Sequence, residues 1–526
     1  MRTQSPSSAV PSAVPSEAAA PPRPGRTLTA AAVLLAVLVV PMSISGTAVA
    51  LPRIGVDTRA DPAALQWVVN AFNVAFACFT LVWGSLADVV GRVRAFAAGV
   101  VIYALGSLAG AVATDVLWLD AARGLAGVGG AAVFSCGAAI LSTVFDGPAR
   151  ARVFALFGTV AGAGVALGPS LAGGLAQGLG WRWVFAVHAA ALALVLLALP
   201  ALARAVPVGP AGGRVDVPGS ALFVLAMVLL TTAVVQGSQW GWGSPGVLAL
   251  FLGAALALVA FALVERRSTH PLLDLGLLGD RRFLGLCLVP VAASFGFVTM
   301  LTYLPSYLTA VTGRGAGATG LLMLLLTVPV LVLPAVAARL VSRGVPALAL
   351  ILLSLACLVA GDLTLAVLSP SVTVLLLAAP MLVTGTGMGL SAGLVDGRVL
   401  ELVDPTRAGM AAGFLNTLRL GSEAVAVAVY GSALATVLSG RVTDGAGAHP
   451  GASRVGEVAD RAAGGDLAGA AEISGATDRH AFTEFLAHAY DSAFHSVLAG
   501  LAAVCAVLSV VVAVLLRGGG RRRASA

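Results

Sequence analysis

No lysine occurs among the 526 residues; all 31 basic side chains are arginine. A P-loop uses a lysine to reach the nucleotide phosphates, so the chain carries no Walker ATPase. The stretch Gly385-Thr-Gly387-Met-Gly389 has the look of a nucleotide loop. It sits inside an apolar run with no strand before it, and reads as glycine packing between helices. Cysteine is also scarce. Cys78, Cys136, Cys287, Cys357 and Cys505 all fall in apolar segments, which argues against a disulfide framework or a zinc site and leaves small buried side chains. The third shortage is charge: 10% of residues are charged while 59% are hydrophobic. A soluble chain of this length needs a far more polar surface. The strand alternation of an outer-membrane barrel is absent as well.

In place of charge there are apolar runs of about 20 residues, each long enough to cross roughly 30 Å of hydrocarbon. Backbone inside lipid must satisfy its own hydrogen bonds, so these runs are helices. The first six predicted spans are Leu28–Leu51, Ala63–Ala87, Ala95–Ala113, Val116–Leu141, Val153–Leu175 and Trp183–Leu202. Two more follow at Val217–Gln236 and Pro245–Val264. The last six are Phe283–Val311, Thr319–Ala338, Val345–Leu368, Val372–Val395, Ala408–Val437 and Ala493–Leu516. The first run ends in Ala48-Val49-Ala50, which looks like a signal-peptidase site, but its length exceeds a cleavable apolar region and it reads as a retained helix. Residues 1–27, rich in Pro, Ser and Ala, are expected to be a disordered cytoplasmic tail, and 517–526 a basic one.

An even number of spans puts both termini on one side, and arginine placement says which. With the termini inside, 21 arginines are cytoplasmic, eight are outside, and Arg123 and Arg419 lie within helices. The opposite orientation reverses that bias, so both termini are expected in the cytoplasm of a multi-pass cell-membrane protein. A long outer loop is expected over 438–490, with mixed charge. Its His449, His480 and His488 are scattered and read as solvated side chains, so no metal site is expected.

The segment after the second span reads Gly84-Ser-Leu-Ala-Asp88-Val-Val-Gly91-Arg92-Val-Arg94. Gly84 permits close helix approach and Gly91 a tight turn. Asp88 is suited to accept hydrogen bonds from a helix N-terminus or an arginine. This segment resembles the loop motif of the major facilitator superfamily at every defining position. Arg123-Gly-Leu-Ala126-Gly127-Val-Gly129-Gly-Ala-Ala resembles the family's fourth-helix motif with Ala126 in place of a glutamine. Gly164-Val-Ala-Leu-Gly168-Pro169-Ser-Leu-Ala172-Gly173 is similar to its antiporter motif, with Ala172 for one glycine. Trp181-Arg182-Trp183-Val-Phe185, Pro271-Leu-Leu-Asp274-Leu and Ala411-Ala-Gly413-Phe-Leu-Asn416-Thr-Leu-Arg419 resemble the 14-helix drug:proton antiporter branch. The second half keeps a worn loop motif, Arg339-Leu-Val-Ser342-Arg343-Gly344, with Ser342 for the aspartate.

The resemblance covers nearly all of 28–516 and implies an all-α polytopic fold. Its parts are a six-helix bundle over 28–203, a linker with two inserted helices over 204–282, and a second six-helix bundle over 283–516. It further implies a non-enzymatic secondary transporter, without cofactor, nucleic-acid or obligate protein partner, that exports small amphipathic compounds in exchange for protons. An exporter of one endogenous metabolite is the alternative, and a non-transporting membrane sensor a more distant one. One departure stands out. The branch's first helix carries an aspartate and an asparagine where this chain has Ser43 and Ala48, so any coupled proton must bind elsewhere.

An intramembrane carboxylate is a functional candidate by default, because an unpaired charge there is costly. Glu423 stands first, Asp120 second and Asp362 third. Glu423 is four residues after Arg419 and Asp120 three before Arg123, spacings at which each acid can face its arginine on one helix. Asp362 has no base nearby and is expected closer to the surface. His188 reads as packing or a hydrogen-bonding group.

Overall fold

A computed structural model of the chain describes residues 25–60, 62–206, 215–268 and 271–518. Most of the tail expected to be disordered over 1–27, and of the basic tail after 517, lies outside those residues. The first eight helices are α1 (Arg26–Thr58), α2 (Pro62–Val90), α3 (Arg92–Ala111), α4 (Val116–Val144), α5 (Gly147–Gly178), α6 (Arg182–Ala205), α7 (Val217–Trp240) and α8 (Pro245–Glu265). There follow α9 (Arg281–Ala293), a π turn (Ser294–Val298), α10 (Thr299–Ala310), α11 (Ala316–Ser342), α12 (Ala347–Thr364), α13 (Val374–Ser391) and α14 (Leu394–Glu401). The chain ends with α15 (Ala408–Ala446), α16 (Val455–Ala463), α17 (Leu467–Ile473) and α18 (Arg479–Gly518).

Among the described residues, 14 helical stretches are long and apolar enough to cross a membrane, as the sequence predicts. One span comprises α9, the π turn and α10; another comprises α13 and α14. α8 shows why these helices need lipid. Leu248, Leu252, Leu256, Val259 and Leu263 are each more than half exposed, so that face finds its apolar partner only in hydrocarbon.

Helices α1 to α6 pack on one another, as do α9 to α15 with α18. α7 and α8 pair together, and α7 leans on α2 and α15. There Phe223, Met227 and Phe261 join Cys78, Leu81 and Met410 in one apolar cluster.

Two expected boundaries are corrected. The twelfth span does not end at Val395. α13 stops at Ser391, Gly393 takes a φ of 74°, and the chain resumes as α14 through Glu401. The stretch expected as a loop over 438–490 is mostly helical. α15 runs on to Ala446, α18 already starts at Arg479, and α16 and α17 fold between them as a cap. The cap buries Val458, Ala459 and Ala462 on one helix and Leu467, Ala470 and Ala471 on the next. That is helical spacing in segments too short for a membrane, which a search for long apolar runs passes over. In the cap, Arg461 and the Gly469 amide hydrogen-bond Asp466 and hold its carboxyl below the usual range. His449 packs against the rings of Phe482 and Phe485, which also touch each other. The cap defines one end of the molecule, the cap face. The end bearing Arg92 and Arg94 is the basic face.

A candidate transport site

The loop motif joins the two halves at the basic face. α2 ends at Val90, Gly91 turns the chain with a φ of 97°, and α3 starts at Arg92. A side chain is strained at that φ, so glycine suits the one-residue turn. This geometry leaves Asp88 facing the start of α15. Its carboxylate accepts the amide N–H of Gly409 at 3.2 Å and of Met410 at 3.0 Å. Those amides belong to the first turn of α15, where N–H groups have no partner within the helix and the dipole favours an anion. Asp88 thus caps a helix of the other half. Arg92 lies 3.6 Å from Asp88 and donates to the Pro405 carbonyl oxygen and to Thr143. Arg94 is exposed. Gly84 lets α2 meet α15 backbone to backbone: a Cβ there would overlap the Gly409 carbonyl oxygen. A Cβ on Gly413 would come within 2.6 Å of the Thr80 oxygen.

α5 carries the antiporter motif against α1. A Cβ on Gly164 would lie 2.6 Å from Pro41 and 2.7 Å from the Leu38 oxygen, and one on Gly168 would overlap the Ser45 hydroxyl. Gly173 differs, since its Cβ would meet Val49 at an ordinary 3.5 Å. Pro169 lies inside the helix. Further along α5 towards the basic face, Gly158 meets the bend at Ala392 and Gly393.

Directly beyond these contacts, towards the cap face, a cavity of about 340 Å³ opens between the halves. Its wall is mostly apolar, from Pro41 and Ile44 on α1, Phe157 on α5, and Pro290 and Phe297 around the π turn. Asp396, Asn416, Arg419 and Glu423 bring polar chemistry to it. The sequence places Arg419 opposite Glu423; the structure does not. Arg419 instead donates to both carboxylate oxygens of Asp396, at 3.0 and 2.9 Å, and to Asn416 at 2.7 Å. Among the described residues Glu423 has no ion pair. A side chain can face only one way, and Asp396 wins because it offers both oxygens from a buried position on α14. Asp396 was missed in the sequence. It is an acid between Gly393 and Gly397, one residue past the predicted end of the twelfth span, where the pattern of apolar residues gives no sign of a helix.

The second candidate pair separates too. Arg123 is buried, with Nε donating to the Val68 oxygen at 2.9 Å and Nη1 to the Ser43 hydroxyl at 2.7 Å. Its guanidinium lies over the Phe72 ring at 4.4 Å. Ser43, standing where the branch has its aspartate, thus binds the arginine as a neutral hydroxyl. Asp120 forms no ion pair with Arg123, and one of its oxygens is buried without a partner. His188 is buried nearby with Nδ1 unpartnered. Asp362, expected nearer the surface, is 1% exposed, and among the described residues neither carboxylate oxygen has a partner.

A bilayer-spanning protein with two helical halves, joined at one face around an apolar, acid-bearing cavity, is a transporter by architecture. Residues 33–427 match the family described as Major Facilitator Superfamily. The chain is 34% identical over 457 residues to the puromycin resistance protein pur8 of Streptomyces alboniger, covering 82% of this chain and 90% of that one. It is 32% identical over 392 residues to the multidrug resistance protein Stp of Mycobacterium tuberculosis, covering 74% and 72%. The crystal structure of the human organic anion transporter MFSD10 superposes with a TM-score of 0.55 at 16% identity, covering 91% of this chain and all of that one, and so shares the fold. The chain belongs to the Major Facilitator Superfamily.

Proposed function

We propose that this protein exports small amphipathic compounds from the cytoplasm in exchange for protons. The observation that carries the reading is Glu423, an acid on the wall of an apolar cavity whose neighbouring arginine is held by another carboxylate. An apolar wall with one titratable group suits a drug-sized amphiphile. Because Arg419 is occupied, Glu423 is left to take either a proton or the polar end of a substrate. The names of the two relatives, puromycin resistance and multidrug resistance, support drug efflux. Asp120 is the second proton site, its arginine again engaged elsewhere. Asp88, Gly84, Gly91, Arg92 and Arg94 form a latch that holds the cytoplasmic side shut, while Gly164, Gly168 and Pro169 set how α5 moves on α1.

The test is transport into inverted membrane vesicles with puromycin as probe. Uptake is expected under an imposed proton gradient without ATP, and a protonophore is expected to abolish it. Uptake that follows ATP and ignores the gradient would overturn the reading.

The orientation is tested separately. A cysteine replacing Arg454, which is exposed on the cap, should react with an impermeant thiol reagent added to intact cells. Reaction only after lysis would reverse the assignment.

A further inference from the structure

The half containing α9 to α18 holds an acid that the cavity does not use. Asp362, on α12, is fully buried and both oxygens lack partners among the described residues. Its Oδ2 faces Gly296 of the π turn: a Cβ there would meet Asp362 Oδ2 at 3.1 Å, with Cys505 Sγ and Leu358 beside the same point. The titratable groups around it are Cys505 on α18 and Tyr430 on α15, which lies within range of its charge. On α13, Thr384 lies against Gly361, the residue before Asp362, and its hydroxyl is also unpartnered among the described residues. A carboxylate here would hold a charge with neither cation nor donor beside it, whereas a carboxylic acid would hold none. A metal ion would need several oxygen ligands, and this donor set is too poor in oxygen to supply them.

A cluster of aromatic rings, four of them tyrosines, lies between Asp362 and the cap face. The Tyr303 and Tyr430 rings stack at 4.4 Å, and Phe494 bridges Tyr430 at 5.7 Å to Tyr307 at 4.6 Å. The Tyr307 and Tyr490 rings are 6.4 Å apart. The hydroxyls of Tyr430 and Tyr490 are buried with no partner among the described residues. At the far end Tyr307 donates to Asp491, and His495 lies 3.5 Å from the same carboxylate. Asp491 is 20% and His495 27% exposed, beside Arg441, which binds Ser492 and Ser496. Charged side chains collected at one level of two helices mark the end that water reaches. Buried polar groups seldom go unpaired, so the two oxygens of Asp362 and the nearby hydroxyls of Thr384, Tyr430 and Tyr490, all unpartnered among the described residues, call for an explanation.

We infer that Asp362 is a proton-binding site distinct from the cavity, filled from the cap face through the tyrosine cluster beneath Asp491. Each transfer conserves protons, with bridging water filling the gaps between hydroxyls: each hydroxyl or water accepts one from the donor above and passes its own to the acceptor below. Asp491 and His495 collect the proton from water, and Asp362 ends as the neutral acid. The π turn makes the site consequential. Ser294, its first residue, bonds Ser422 at 2.9 Å, next to Glu423, while Gly296 touches Asp362. A change in the charge of Asp362 is therefore felt across one turn by the cavity wall. This inference deepens the exchange reading above, yet proton binding is measurable without transport.

The test is infrared difference spectroscopy on the purified full-length protein in lipid nanodiscs during a pH step. The carbonyl stretch of a dry, protonated acid is expected in the wild type, lost in Asp362→Asn and shifted but present in Asp362→Glu. Tyr430→Phe should keep the band and slow its response by about tenfold, the effect of one relay hydrogen bond on the barrier. A band that survives in Asp362→Asn, or unchanged kinetics in Tyr430→Phe together with Tyr490→Phe, would overturn the inference and leave drug efflux untouched. A band lost in Asp362→Asn from a protein that moves no puromycin would uphold the site and remove the exporter reading.

Discussion

Glu423→Gln is expected to abolish proton-driven efflux, bringing puromycin transport down to that of vesicles lacking the protein, while substrate binding remains measurable. Glutamine keeps the size and hydrogen-bonding reach of the side chain but takes up no proton in this pH range. Exchange requires that proton and substrate compete for one site or for opposite conformations, so a cavity without its titratable group still binds but no longer couples. Asp120→Asn should show a weaker form of the same defect. The deciding measurement is the pH change inside vesicles when substrate is added. Proton movement persisting in the Glu423→Gln, Asp120→Asn double variant would rule out both residues as carriers. Asp396→Asn separates the roles on the cavity wall. It leaves Arg419 without its carboxylate, at a cost of about 3 kcal/mol, the lower end for breaking a buried pair because Arg419 is partly exposed. The arginine then has only Glu423 to turn to, and loss of coupling with binding retained is expected there too.

A valine at Gly84 should stop transport as completely, for a steric reason. The side chain would occupy the space of the Gly409 carbonyl, so α2 and α15 could not close at the basic face. Insertion into the membrane is expected to be normal, because the contact joins the halves and not the core of either. Spin labels at Arg94 and Thr406, both exposed on this face, should report a longer distance in Gly84→Val than in the wild type. An unchanged distance with normal efflux would show that the contact is dispensable. Asp88→Asn is the graded counterpart: the amide oxygen can still accept one N–H, but the charge that favours two is gone. A loss of about 1.4 kcal/mol, or tenfold in the closed population, is the expected size.

Much of this was legible in the sequence because lipid imposes a simple rule. Fourteen long apolar runs have few alternatives to fourteen helices, and the loop motif around Asp88 is dense enough to identify the fold. The pairing of charges was not legible. Spacing of three or four residues on one helix shows which partners are possible, and says nothing of an acid on another helix. Arg419 had Glu423 in reach by sequence and chose Asp396, which a boundary drawn one residue short had set outside the membrane. Arg123 likewise turned from Asp120 to the Ser43 hydroxyl and the Val68 backbone oxygen. The fold of the cap was hidden for the opposite reason: its helices are too short to register against spans of membrane length.

The cap also offers an experimental handle. α15 is 39 residues and α18 40 residues long, so each extends about 60 Å as an unbroken rod. Both rods line the same half and rise together into the cap, where α16 and α17 brace them. The assembly therefore works as a pointer on a dial: any tilt of that half is magnified at its tip, far from the cavity. A fluorophore or a rigid binding protein placed at the exposed turn between α16 and α17 would read the working cycle from solution, one molecule at a time, with no label near the transport site.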